Sequence, residues 1–239
     1  MPRVALFDPC YVAAIRPTDA NHARRVLEAL GDEVELIDGR CCGQPAFNSG
    51  FRAEARTVGR ELLRAIQPFD TAVVTSGSCT SMIQHYLPPL FDGRKAEGAN
   101  AIARRTVEFA AYVASHPRLD TLGLRLEGTV AYHDSCHNRR ELQQTGTAVA
   151  LLGRVEALEV RRLPFEAECC GFGGTFSAKF PEVAAQMLQC KLDDIAATGA
   201  RVVVSTDFSC LAHIENAARA LGFELEAWTF SELLARALG

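Results

Sequence analysis

The chain has 239 residues, 48% hydrophobic and 23% charged, with 25 basic against 29 acidic side chains and a formal net charge of −4. Those proportions exclude a disordered chain, collagen and a coiled coil, and they suffice for one large domain or two small ones with real cores. Scattered Lys and Arg with only 8% aromatics argue against nucleic acid as a partner, and no apolar run approaches the ~20 residues of a membrane span.

In chain order, residues 3–8 read as a short apolar strand. Residues 19–30 are amphipathic and stop at Gly31, a helix with a good C-terminal signal. Residues 33–37 predict a second strand. Residues 52–66 predict a helix with Val58, Leu62, Leu63 and Ile66 on one face, and residues 71–75 a third strand. Residues 100–115 read as a closing helix. The pattern then begins again, with strands at 129–133, 155–160 and 201–205. A long helix at 181–198 has Pro181 in its first turn and Gly199 after its end, and a closing helix is expected at 231–238. Alternating strands and helices imply parallel strands joined by right-handed crossovers.

The recurrence extends to residue identity. Val4-Ala5-Leu6-Phe7-Asp8-Pro9-Cys10 resembles Val130-Ala131-Tyr132-His133-Asp134-Ser135-Cys136, Cys41-Cys42-Gly43 returns as Cys169-Cys170-Gly171, and the run into Cys79 resembles the run into Cys210. The cysteine offsets are 126, 128 and 131, a drift of a few residues. Three matches in one order define two homologous halves, 1–115 and 128–239, joined by the segment around Pro117. The expected fold is α/β: two tandem Rossmann-like domains with small parallel sheets, related by a pseudo-twofold axis.

Nine cysteines carry the functional signal. Met1-Pro2-Arg3 leads straight into an apolar strand without the pattern of a signal peptide, so a reducing, cytoplasmic setting is expected, and an odd count cannot pair completely within one chain. In each half one cysteine follows the first strand (Cys10, Cys136), the doublet follows the second (Cys41, Cys42; Cys169, Cys170), and one follows the third and opens a helix (Cys79, Cys210). Positions just after parallel strands share the carboxyl edge, where open α/β sheets bind ligands, so four thiols converge in each half. Helix N-termini there favour thiolates. Gly43, Gly50, Gly171, Gly173 and Gly174 are expected to let backbone approach a bulky ligand. Cys190 has no counterpart and falls mid-helix, where packing is expected. Four thiolates suit structural zinc in at least one half or a redox metal cluster, although zinc ligands come more often in Cys-x-x-Cys knuckles than in adjacent pairs.

Cys10, 30 residues, Cys41-Cys42-Gly43, and 36 residues from the doublet to Cys79 resemble the cysteine-rich CCG domain, and Cys136, 32 residues, Cys169-Cys170-Gly171 and 39 residues to Cys210 form a second copy. Such domains occur in heterodisulfide reductase, in the iron–sulfur subunit of glycolate oxidase and in the lactate-utilisation protein A family. The last is most similar in length and in strings such as Pro9-Cys10-Tyr11, Ser76-Gly77-Ser78-Cys79 and His133-Asp134-Ser135-Cys136-His137. The resemblance implies an iron–sulfur cluster, [4Fe–4S] in type, in each half, held by the eight matched cysteines. It also implies an electron-transfer subunit acting with other iron–sulfur subunits in a complex that oxidises L-lactate, a small 2-hydroxy acid, to pyruvate. The heterodisulfide reductase motif ends in Cys-x-x-Cys; here Met82 and His213 stand at the last position, which weighs against a disulfide-reducing subunit and makes His213 a candidate fifth ligand of the second site. His133 and His137 flank Cys136 as candidate groups for substrate or for hydrogen bonds to cluster sulfur, with Asp134 between them. A zinc-stabilised binding module is the remaining alternative.

Overall fold

A computed structural model describes residues 3–37 and 39–239. Its strands are β1 (Arg3–Phe7), β2 (Glu33–Ile37), β3 (Thr71–Val74), β4 (Thr106–Glu108), β5 (Arg125–Tyr132), β6 (Glu156–Arg162), β7 (Val202–Ser205) and β8 (Glu226–Thr229). They form two wholly parallel four-stranded sheets, ordered β2-β1-β3-β4 and β6-β5-β7-β8. The helices are α1 (Cys10–Ile15), α2 (Asp19–Ala29), α3 (Gln44–Asn48), α4 (Arg52–Ile66), α5 (Gly77–Ser81), α6 (Gly93–Ala103) and α7 (Phe109–Ser115), then α8 (Thr145–Leu152), α9 (Thr175–Lys179), α10 (Pro181–Ala196), α11 (Phe208–Ala220) and α12 (Phe230–Ala237). None among the described residues is long and apolar enough to cross a membrane.

The central strands are apolar on both faces because each face has its own core. Val4, Leu6 and Val73 point into one cluster, and Ala5, Phe7, Ala72 and Val74 into another. In the second sheet, Val130, Tyr132 and Val204 join the cluster of Val4 and Leu6, while Ala131 and Val203 face a third. One core therefore lies between the two sheets and belongs to both halves. The helices around it exchange partners reciprocally: α12 packs on α2 and α7 on α8, while nearer the sheet edges α1 meets α11 and α5 meets the turn 137–141. The contact of α2 with α12 is the counterpart of that of α8 with α7, and the contact of α1 with α11 that of the turn 137–141 with α5, the pattern of a pseudo-twofold relation.

Several expectations change. Each sheet has a fourth strand, β4 or β8, that the sequence did not announce. Residues 100–115 are helix, strand and helix. Thr106 Oγ1 donates to Ile102 O at 2.9 Å, closing α6, while the Glu108 carboxylate accepts the Ala111 N–H at 3.2 Å and caps α7. On α4 the buried face is Ala55, Gly59, Leu62, Leu63 and Ile66, with Val58 exposed. Cys190 is exposed, because α10 buries Ala184, Leu188, Lys191, Leu192 and Ile195 on its other side.

Candidate metal centre

At the carboxyl edge of each sheet the chain leaves β1 or β5 into Cys10 or Cys136, and leaves β2 or β6 into the cysteine doublet. It leaves β3 or β7 into the helix that carries Cys79 or Cys210. The first and third strands are sheet neighbours that send their connections in opposite directions, so a crevice opens between them. All eight cysteines line a single cavity of about 460 Å³ between the halves. Cys42, Cys79, Cys170 and Cys210 are buried, Cys41, Cys136 and Cys169 half-buried, and Cys10 exposed.

Within each half the thiols interact in the same order. Cys42 and Cys79 Sγ are 3.1 Å apart. The Cys41 thiol is held far below its usual range by hydrogen bonds from Cys10, then Cys42, and by the Gly43 N–H, which donates to its Sγ at 3.4 Å. Cys169 is lowered in the same way by Cys136, Cys170 and the Gly171 N–H, also at 3.4 Å. Cys10 and Cys42 are pushed up by sharing protons with Cys41, as are Cys136 and Cys170 by Cys169. In each half a backbone N–H thus favours the thiolate of the first cysteine of the doublet.

The glycine after each doublet has a different role from the one expected. Gly43 (φ 86°) and Gly171 (φ 84°) are left-handed, and an added Cβ would lie 2.9 Å from Ala55 O and 2.6 Å from Ala184 O respectively. The close approach is to the backbone of α4 or α10. These contacts press the doublets against rigid helices; nothing lies within 4 Å of a Cβ at Gly50 or Gly174.

The halves also lock together around the cavity. Tyr11 stacks on Phe172 with ring centroids 5.8 Å apart, and Gln44 Nε2 lies 3.3 Å from His137 Nε2. Tyr11 and His137 occupy matched positions of the repeat, as do Gln44 and Phe172, so these are one contact made twice. The fully buried Asp207 accepts the Ser78 N–H of the first half at 2.8 Å through one oxygen. Through the other it accepts the Ser209 N–H at 3.2 Å and the Ser209 hydroxyl at 2.7 Å. It thereby ties the start of α5 to the start of α11. None of Tyr11, Gln44, Phe172 or Asp207 was given a role from the sequence, although the first three sit within two residues of matched cysteines, where comparison of the two copies would have found them.

Of the histidines, His137 lies on the cavity wall, its Nδ1 3.8 Å from Cys136 Sγ. His213 packs its ring on Phe172 with its Nε2 buried and unpaired. His133 is buried beside the second doublet, and burial, with Lys191 nearby, holds its imidazole down to about 4. Asp134 lies under the site and accepts from Asn138 Nδ2 at 2.8 Å.

Each half thus offers four convergent thiols on backbone fixed by helix contacts, a donor set suited to a thiophilic metal or an iron–sulfur cluster. Comparison with known proteins agrees. The cysteine-rich domain family, CCG, matches residues 4–84 and again 130–215. Lactate utilization protein A of Macrococcus caseolyticus is 35% identical over 235 residues, covering 97% of this chain and 96% of that protein. Its namesake in Bacillus thuringiensis is also 35% identical, covering 97% and 98%. A hypothetical protein of Helicobacter pylori shares the fold, with a TM-score of 0.63 at 12% identity. It covers all of this chain, which spans 49% of that one.

Proposed function

Because the chain belongs to the lactate utilization protein A family of cysteine-rich domain proteins, we propose that it is an iron–sulfur electron-transfer subunit of a system that oxidises L-lactate to pyruvate. Cys10, Cys41, Cys42 and Cys79 would hold one cluster, of the [4Fe–4S] type, and Cys136, Cys169, Cys170 and Cys210 another. When bound, such a cluster takes up or releases one electron. The observation that carries the reading is the convergence of two matched sets of four thiols on one cavity.

The chain's own groups have defined tasks in this reading. Cys41 and Cys169 each have a backbone N–H directed at the sulfur, which favours the thiolate a metal group binds. Phe172, Tyr11 and Val12 make the cavity wall largely apolar and limit water around the sulfurs. Asp207 fixes Cys79 and Cys210 relative to one another by joining their helices. Lactate gives up two electrons and two protons on becoming pyruvate, so two one-electron sites in one chain match the pair. The other iron–sulfur subunits would supply the lactate site and the onward acceptor.

Protein purified without oxygen should contain iron and acid-labile sulfide and absorb broadly in the visible. Cys41→Ser should strip iron from the first half alone, Cys170→Ser from the second alone, and Cys190→Ser from neither. Colourless protein with stoichiometric zinc would overturn the reading in favour of a zinc-stabilised module. The cavity is also large enough for a small organic molecule between the two thiol sets, which favours a second reading as a disulfide-reducing subunit. Turnover of a disulfide by the cluster-loaded chain decides between the two.

A further inference from the structure

The two thiol sets match, but their surroundings do not. His133 and Phe7 occupy the same position of the repeat, one residue before the matched Asp134 and Asp8. Phe7 lies in the first half's outer core, the cluster that also holds Cys42 and Cys79, and offers only hydrocarbon there. His133 takes that place beside Cys170 and Cys210. An imidazole nitrogen of His133 and the two Sγ atoms lie within 4.8 Å of one another. The ring is 1% exposed, and neither Nδ1 nor Nε2 has a hydrogen-bond partner. Buried polar atoms are nearly always paired, so an orphaned imidazole nitrogen beside two thiols calls for a ligand. Two charged neighbours are held by other groups: Lys191 Nζ donates to Phe165 O at 3.0 Å and to Asp194 at 2.9 Å, and Asp207 accepts from Ser78 and Ser209.

We propose that His133 presents an imidazole nitrogen to the metal group of the second half, so that this half has a mixed thiolate–imidazole donor set while the first has thiolates alone. The inference rests on reading both halves as iron–sulfur sites. His213, at the position of Met82, faces Phe172 and is not part of the close trio.

The test uses the full-length chain carrying Cys41→Ser, loaded anaerobically with iron and sulfide in the second half only, labelled with ¹⁵N-histidine and reduced for pulsed electron paramagnetic resonance. The expected result is the hyperfine coupling of a directly bound histidine nitrogen. It should be absent from the Cys170→Ser chain, lost on adding His133→Phe to the Cys41→Ser chain, and kept on adding His213→Met or His137→Gln. The labelled Cys41→Ser protein decides even if His133→Phe does not fold. Iron and sulfide bound there without histidine coupling would overturn the inference and leave the iron–sulfur reading standing, as would coupling that survives His133→Phe or disappears with His213→Met. Failure of iron and sulfide to enter either half would overturn both.

Discussion

Asp207 shows how much a single side chain can do between two copies of one unit. Its carboxylate is fully buried, yet it accepts three hydrogen bonds: from backbone N–H groups at the starts of α5 and α11, and from the Ser209 hydroxyl. Removing the acceptor leaves two buried N–H groups without partners, at about 1–3 kcal/mol each before relaxation. Asp207→Ala should therefore lower unfolding stability in urea by about 2–4 kcal/mol, with Asp207→Asn recovering part; an unchanged midpoint would show that the bridge is dispensable. The cysteines were legible in the sequence because their chemistry is rare and the duplication repeats their spacing. Asp207 was not, because its chief partner, the Ser78 N–H, lies in the other half. His133 was visible as a histidine beside Cys136, but only the packing directs it toward Cys170 and Cys210 and away from the cavity wall that His137 lines.

Among the elements, the doublet loops and the β4–α7 corner are the most constrained. Gly171→Ala forces a left-handed alanine against Ala184 O, so either α10 moves or the loop carrying Cys169 and Cys170 does. A loss of more than about 2 kcal/mol is expected, together with iron from the second half. Gly98→Ala on α6, where a Cβ meets nothing within 4 Å, should be neutral or stabilising. At the corner, burial raises the Glu108 carboxyl to about 8, with Asp207 adding to the effect. The folded state then keeps a proton that the unfolded chain releases near pH 4.5, so this residue's contribution to stability declines as pH climbs from about 4.5 to 8, by at most about 1.4 kcal/mol per pH unit. Glu108→Gln keeps a cap acceptor and cannot ionise. Urea midpoints measured across that range should fall less steeply for the variant, and identical slopes would show that Glu108 is not the group responsible. The long strands and helices followed from periodicity. The three residues of β4 did not, since Thr106 and Glu108 are polar by type and buried only through tertiary packing. Nor did the exposure of Val58, because Gly59 takes the inward position against Leu87.

For the whole molecule, the decisive feature is the core shared by both sheets. Val4, Leu6, Leu27 and Phe109 from the first half pack in one cluster with Val130, Tyr132, Leu151 and Phe230 from the second. The halves are copies in sequence, but neither can keep this face dry alone, which distinguishes them from beads joined by a linker. Their unfolding should accordingly be coupled, with one calorimetric transition whose van't Hoff and calorimetric enthalpies agree. Phe109 is the sharpest probe: it is 1% exposed, belongs to the first half by sequence, and lies in the shared cluster. Phe109→Ala should cost about 3–5 kcal/mol, which at this chain length lowers the melting temperature by roughly 6–20 °C. The shift should move the entire endotherm. The contrasting outcome, a first-half transition that separates and moves down while a second-half transition stays in place, would mean that the halves melt independently. The common cavity would then open and close with the motion of one half against the other, and the spacing between the two thiol sets would no longer be fixed by the fold.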